Sequence, residues 1–356
     1  MSRPRHKLLL VHHFPLSKIT GVSVIAGELL RILPAIASDI EVSYQHYENL
    51  NSESLIRKLD YHYRDRMVIC GINLHIEVQW ELSLALARWC RARRILLYNH
   101  VYDYWPHHRT NLSCLRDECQ VQLLAASRSI QESLQREGFT STYLVGGTQL
   151  PPFLRSEGPT QKIAGSIGRL VERKRFADVV RAFCDADLGQ RAKLRLTLLP
   201  SQVFSAEEDT RQLNLIEEEI RRSGKQRSAI AVSTIPVIPP DYSRLSVYVC
   251  ASSYEGLSMT PYEAAYCGCP PIVSDIPPHR QMAEALFSDS AARFLYPVGD
   301  TSSLAEYLSD EISTGIRAQI LRANQANIRC LIERDYSIRT TANGMVRLCR
   351  AAYQPI

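Results

Sequence analysis

The chain is 356 residues long, 45% hydrophobic and 22% charged, with a formal net charge of +5. That length suits two domains of about 150 residues each, and so mild a charge does not by itself imply a nucleic-acid partner. No apolar run approaches the roughly 18 residues that span a bilayer.

The N-terminal Met1–Lys7 is basic and leads into Leu8-Leu9-Leu10-Val11, but His12 and His13 cut the apolar run too short for a signal peptide. Leu8–His12 reads instead as a first buried strand. From there short apolar strands alternate with amphipathic helices, the pattern of parallel sheets built from β-α-β units. Further strands are expected at Met67–Cys70, Ile95–Tyr98, Gln122–Ala125 and Thr142–Val145. Helices are expected between them at Val24–Leu33, Ser54–Leu59, Glu77–Cys90 and Ser129–Glu137. The last has Ser127 or Ser129 to cap its start and Gly138 to end it.

Gly146-Gly147 and Pro151-Pro152, followed by a polar run to Gln161, break the pattern and read as an interdomain connection. The alternation then restarts with strands at Ile163–Ile167, Leu194–Leu199, Ala229–Val232, Val247–Cys250, Pro271–Ser274 and Arg293–Leu295. The matching helices are Phe176–Asp185, Asp209–Ser223, Pro261–Cys267, Pro278–Leu286, Thr301–Ser313 and Ile316–Glu333. The expected fold is α/β, with two Rossmann-like, doubly wound parallel sheets facing across a cleft. The domains would be 1–150 and 151–335, with a helix in 336–356 returning to the first. Ligands of such sheets bind beyond the carboxyl ends of the strands, so the cleft is the expected site.

The ten cysteines are scattered without a Cys-x-x-Cys pair, which argues against a zinc site or a disulfide framework. They read as reduced thiols of a cytoplasmic protein. After the first strand, His12-His13-Phe14-Pro15-Leu16-Ser17-Lys18 lacks the Gly-x-Gly-x-x-Gly turn of nicotinamide enzymes.

Glu255 and Glu263 are the candidates for chemistry. They follow the strand Val247–Cys250, with Gly256 in the loop between them and Thr260-Pro261 marking a helix start. Loop and first-turn amides with the helix dipole favour a phosphate there. A second reading stays open: Thr260-x-x-Glu263 is also a capping box, and Glu255 could be an ordinary exposed loop acid.

Ser252, Glu255-Gly256-Leu257-Ser258, Glu263-Ala264, Gly268 and Pro270 to Ser274 together resemble the E-x(7)-E signature of retaining glycosyltransferase family four, of GT-B fold. The departures are Leu257-Ser258 where the family has Phe-Gly, and Pro271 where it has Val. Gly168-Arg169-Leu170 with Lys174, and Asp300 to Ala305, are similar to two further family segments. The likeness is strong from about 163 to 310 and thinner before it.

The resemblance implies the following roles. Arg169 and Lys174 stabilise a nucleoside diphosphate leaving group, and amides around Leu257, Ser258, Met259 and Thr260 bind it too. Glu263 accepts hydrogen bonds from the ribose, and Glu255, followed by Gly256, contacts the donor sugar. In the first domain Gly21 would let the backbone approach the diphosphate from the loop after strand one, and His100 would touch the transferred sugar. No residue stands out as an inverting-type base, which suits a retaining mechanism in which the leaving phosphate takes the proton. Asp185-Ala186-Asp187 has the form of a metal motif but falls at a helix end, so neither metal nor cofactor is expected.

The expected partners are a nucleotide-diphosphate sugar, UDP-linked first and GDP-mannose next, and a glycan, lipid-linked or small-molecule acceptor. A non-catalytic scaffold of the same fold is the alternative. Trp80, Trp89 and the arginines 88, 91, 93 and 94 leave two readings open: cations complementing a helix end, or peripheral contact with the inner face of a membrane.

Overall fold

The computed structural model describes residues 6–12, 16, 21–46, 51–62, 68–72, 84–85, 88–89, 95–99, 110, 112–114, 116–117, 121–151, 162–186, 188, 191–199, 206–224, 229–234 and 241–353. The chain divides into two compact units, one of residues 1–149 with 335–356 and one of 150–334.

The first unit is built on a parallel sheet of β1 (His6–His12), β2 (Ile40–His46), β3 (Val68–Ile72), β4 (Ile95–Asn99), β5 (Gln122–Ala125) and β6 (Ser141–Tyr143). Their order is β2-β1-β3-β4-β5-β6. Leu8 to Val11 are buried in the central β1, as the unbroken apolar run required. Helices α1 (Gly21–Ile36), α2 (Ser52–His62) and α3 (Arg128–Arg136) belong to this unit. Ser127 caps α3 by accepting from the Ile130 amide at 3.2 Å, and Gly138 follows its end at φ 83°. Two expectations need correction here. Gly21 is the first residue of α1 and not part of the loop before it. β2 was missed because Glu41 and Gln45 interrupt its apolar pattern. Of the expected helix Glu77–Cys90 only residues 84–85 and 88–89 are described, and these are helical; His100 lies outside the described residues.

The second unit has β7 (Lys162–Arg169), β8 (Ala192–Leu199), β9 (Ile230–Ser233), β10 (Val247–Cys250), β11 (Pro271–Ser274) and β12 (Leu295–Tyr296), all parallel in the order β12-β11-β10-β7-β8-β9. This is the doubly wound dinucleotide-fold order, in which the winding reverses between the first and fourth strands. Here those are β7 and β10, paired at Val247 with Ala164 and Tyr248 with Gly165. Helices α4 (Phe176–Asp185), α5 (Ala206–Arg222), α6 (Thr260–Tyr266), α7 (Pro277–Phe287), α8 (Thr301–Thr314) and α9 (Ile316–Asp335) complete the unit. Its core joins Val179, Val180 and Phe183 of α4 to Leu194, Leu196 and Leu198 of β8 and Val247 and Val249 of β10.

A last helix, α10 (Ile338–Tyr353), buries Ile338, Thr341, Ala342, Met345, Val346, Cys349 and Ala352 in the first unit. Its far end is fixed there by Arg350 on Asp39 at 2.6 Å and by the Tyr353 hydroxyl donating to the Lys7 carbonyl at 2.9 Å. Its near end is fixed by Thr341, whose hydroxyl donates to the Val145 carbonyl at 2.7 Å and accepts from the Gly147 amide at 2.8 Å.

Valine has the shape of threonine but can satisfy neither buried backbone group. Thr341→Val is therefore expected to cost about 2 kcal/mol, and Thr341→Ser much less. Urea unfolding midpoints of the two variants check this.

Candidate functional site

β7 ends on Arg169 and its partner β10 on Cys250, so the loops leaving these two strands begin side by side at the point where the winding reverses. After β7 the chain passes through the buried Leu170 and Val171 into a single 3-10 turn, Glu172–Lys174. Arg175 then takes a left-handed backbone, φ 50° and ψ 43°, which few residues other than glycine adopt. That reversal starts α4 while the turn before it keeps Arg173 and Lys174 toward the loop after β10. The stem of Lys174 lies over Gly168, where a Cβ would stand 3.4 Å from Cε.

The two loops are clipped together. The Ser253 amide donates to the Arg173 carbonyl at 2.8 Å, and the Arg173 guanidinium donates to the Tyr254 carbonyl at 2.9 Å. Glu255 sits against this clip, only 5% exposed. Its Oε1 is 2.7 Å from Lys174 Nζ and accepts from Ser252 Oγ at 2.8 Å, while its Oε2 is 2.6 Å from Arg173 Nη1. Burial pushes the carboxyl up, but the two cations outweigh it and hold Glu255 well below the usual carboxylate range. Of the two readings left open for Glu255, the ordinary exposed loop acid does not hold, because the carboxylate is buried. Its partners come from a segment some 80 residues earlier, which spacing along the loop cannot reveal.

Arg169 differs from its neighbours. It is half-buried, and among the described residues its side chain has no hydrogen bond or ion pair. Burial pushes its guanidinium down from the ordinary value, and Arg173 pushes the same way against Glu255. A cation in that setting is able to take an anion.

Under Glu255 lies a buried polar layer. Ser274 Oγ donates to the Ser252 carbonyl, and His279 Nδ1 is 2.8 Å from the Ser274 carbonyl. His279 Nε2 stands 3.7 Å from Cys250 Sγ. Burial would push the Cys250 thiol up, but His279 and Lys174 more than reverse this and bring it down to about 6.

Gly256, Leu257, Ser258 and Met259 form the loop before α6, with Ser258 buried. Thr260 is the first residue of α6 and Met259 holds the N-cap position, so the Thr260–Glu263 spacing is one residue out of register for a capping box. Glu263 instead accepts from the hydroxyl of the buried Tyr242 at 2.8 Å. The Tyr248 hydroxyl donates to Thr260 Oγ1 at 2.7 Å, and the two tyrosine rings meet edge to face at 5.6 Å. Gly268 ends α6 at φ 82°.

Arg169, Lys174, Glu255, Gly256–Thr260 and Glu263 therefore all belong to the second unit and gather at the ends of β7 and β10. Gly21 belongs to the first unit. Sequence reasoning assigned no role to Arg173, Ser252, Tyr242, Tyr248 or His279. A tyrosine inside the apolar strand Val247–Cys250 was the available signal, since its hydroxyl must find a partner when buried. A surface hollow of about 520 Å³ along one face of α5, lined by Thr210, Arg211 and Leu215, contains none of the motif residues. Among the described residues no three His, Cys, Asp or Glu side chains are grouped for a metal, and no helix is long and apolar enough to cross a membrane.

Residues 154–327 match the family model of glycosyl transferases, group 1. No curated protein matches the chain. Among solved structures, Anabaena HepE in complex with UDP and glucose is similar in fold, with a TM-score of 0.73 and 14% identity over 97% of this chain and 100% of that one. Sucrose-phosphate synthase from Thermosynechococcus elongatus gives 0.71 and 17% identity, covering 98% and 99%. The UDP-forming α,α-trehalose-phosphate synthase from Burkholderia vietnamiensis gives 0.70 and 12%, covering 99% and 98%. The α/β architecture with its parallel sheets matches these GT-B structures.

Because the folded state depresses the Glu255 carboxyl, its ion pairs add their full stability above the unfolded carboxylate range near about pH 4 and lose it as pH falls further. Glu255→Gln is expected to cost roughly 2 kcal/mol at neutral pH and to flatten the decline in stability between about pH 5 and about pH 3. Denaturant midpoints of both proteins across that range measure the difference.

Proposed function

With residues 154–327 a group 1 glycosyl transferase domain, we propose that this glycosyltransferase moves a hexose from a UDP-sugar, with GDP-mannose the next candidate donor, and retains the anomeric configuration. The observation that carries the reading is Arg169, a half-buried cation without an ion pair among the described residues, beside Lys174 and Glu255 at the switch point of the second sheet. A diphosphate is the ligand such a place suits, because its charge grows as the bond to the sugar breaks. Solved structures of similar fold in complex with UDP, HepE among them, and a UDP-forming synthase support the choice of base.

Arg169 and Lys174 would take the diphosphate oxygens, with amides of Leu257, Ser258, Met259 and Thr260 adding neutral donors. Glu263, held by Tyr242 from one side, would accept from the ribose hydroxyls. Glu255 would face the donor sugar. In the transfer the bond between the anomeric carbon and the diphosphate oxygen breaks. The acceptor oxygen bonds the same face of that carbon, and its proton passes to the departing phosphate. The side-chain cations balance the leaving charge, so the reaction needs no divalent ion. The acceptor is a glycan, a lipid-linked sugar or a small molecule, in surface polysaccharide or glycoconjugate synthesis, at the cytoplasmic side and in peripheral contact with the membrane when the acceptor is lipid-linked.

Calorimetric titration is expected to show UDP binding, with GDP weaker and ADP weaker still; binding of none of the three overturns the reading. Arg169→Ala should weaken UDP by about tenfold or more. Glu255→Ala should lower turnover much more than UDP affinity, and EDTA should leave turnover unchanged. A mass-spectrometric screen of nucleotide sugars identifies the donor.

A further inference from the structure

We propose that Arg173 is a positioning residue that holds Glu255 so that the charge of Lys174 stays available to the diphosphate of a nucleotide sugar. The inference rests on the donor-site reading above and concerns a residue outside the Arg169 and Lys174 of the matched segment.

The difficulty it resolves is visible in the geometry. Lys174 is a diphosphate ligand in that reading, yet its ammonium lies 2.7 Å from Glu255 Oε1, its one ion-pair partner among the described residues. A lysine and a glutamate alone would form a neutral pair, and an arriving phosphate would have to compete with the carboxylate. Drawing Lys174 away would also strand a buried negative charge, which is strongly unfavourable.

Arg173 removes both obstacles. Its guanidinium takes Oε2 at 2.6 Å, and Ser252 Oγ already donates to Oε1 at 2.8 Å, so each carboxylate oxygen keeps a donor when Lys174 turns to a phosphate. Three cations, Arg169, Arg173 and Lys174, then stand against one carboxylate, leaving an excess of positive charge for a doubly anionic diphosphate. The two basic residues are also held differently. Arg173 is fixed at two further points to the loop that carries Glu255, through its carbonyl on the Ser253 amide and its guanidinium on the Tyr254 carbonyl. Lys174 has a flexible four-carbon stem and, among the described residues, the carboxylate alone. One is built to stay, the other to exchange partners.

Titration of the full-length protein with UDP tests this, because UDP lacks the sugar that Glu255 would contact. Arg173→Gln is expected to weaken UDP by about tenfold or more, since Glu255 then claims Lys174. Glu255→Gln should bind UDP as well as the unaltered protein or better. The double variant Arg173→Gln with Glu255→Gln should return to within about threefold of Glu255→Gln, because no carboxylate remains to hold the lysine. Arg173→Lys, which keeps the charge, should lie within about threefold of the unaltered protein and stands in if Arg173→Gln does not fold. A double variant as weak as Arg173→Gln would overturn the proposal, because loss of packing or of a direct phosphate contact is not repaired by removing Glu255. So would Arg173→Gln binding UDP normally, or Arg173→Lys binding as weakly as a charge deletion. Failure of the unaltered protein to bind UDP would instead overturn the donor-site reading on which this rests.

Discussion

The second unit is organised around one buried carboxylate. Glu255 is almost wholly out of water, and an ionised carboxylate there is tolerable only because Arg173, Lys174 and Ser252 surround it. That requirement ties the loop after β10 to the turn after β7, two segments that the chain order keeps far apart. The same contacts give the region its chemistry. Groups needed to bury one negative charge are also groups that can stabilise another, and Arg169 stands beside them with no ion pair of its own among the described residues.

Topology puts these segments together. In a parallel sheet wound in both directions from its middle, the loops from the two central strands diverge to opposite faces and leave a space between them. β7 and β10 are those strands here. Tertiary contacts then set the fine positions. Tyr248, within β10, reaches Thr260 at the start of α6, and Tyr242 reaches Glu263 one turn on, so the helix start is fastened from the sheet side. Ser274 at the end of β11 and His279 in α7 brace the Ser252 backbone from beneath. The left-handed Arg175, directly after Lys174, is an unusual backbone placed where two basic side chains must be aimed.

Much of the architecture was legible in advance. Runs such as Val247–Cys250 and Pro271–Ser274 are apolar throughout because both faces of a parallel strand are covered, so their limits could be read directly. Gly138 marked the end of its helix by backbone chemistry that is local to the residue. β2 escaped notice because Glu41 and Gln45 break its pattern, and pairing with β1 completes it. The capping box at Thr260 looked sound on spacing, yet the helix starts one residue too early for it.

By itself the sequence determined the α/β class, the break near residue 150 and the second-unit elements, which depend on periodicity and turn chemistry within one stretch of chain. Arg169, Lys174, Glu255 and Glu263 were picked out by the likeness of their segments to a known family. Only the tertiary structure decided that Glu255 is buried, that Arg173 is its partner and that Tyr242 holds Glu263. Those depend on which distant segments meet when strand order is set, and a carboxylate's surroundings are made of residues the chain supplies from elsewhere.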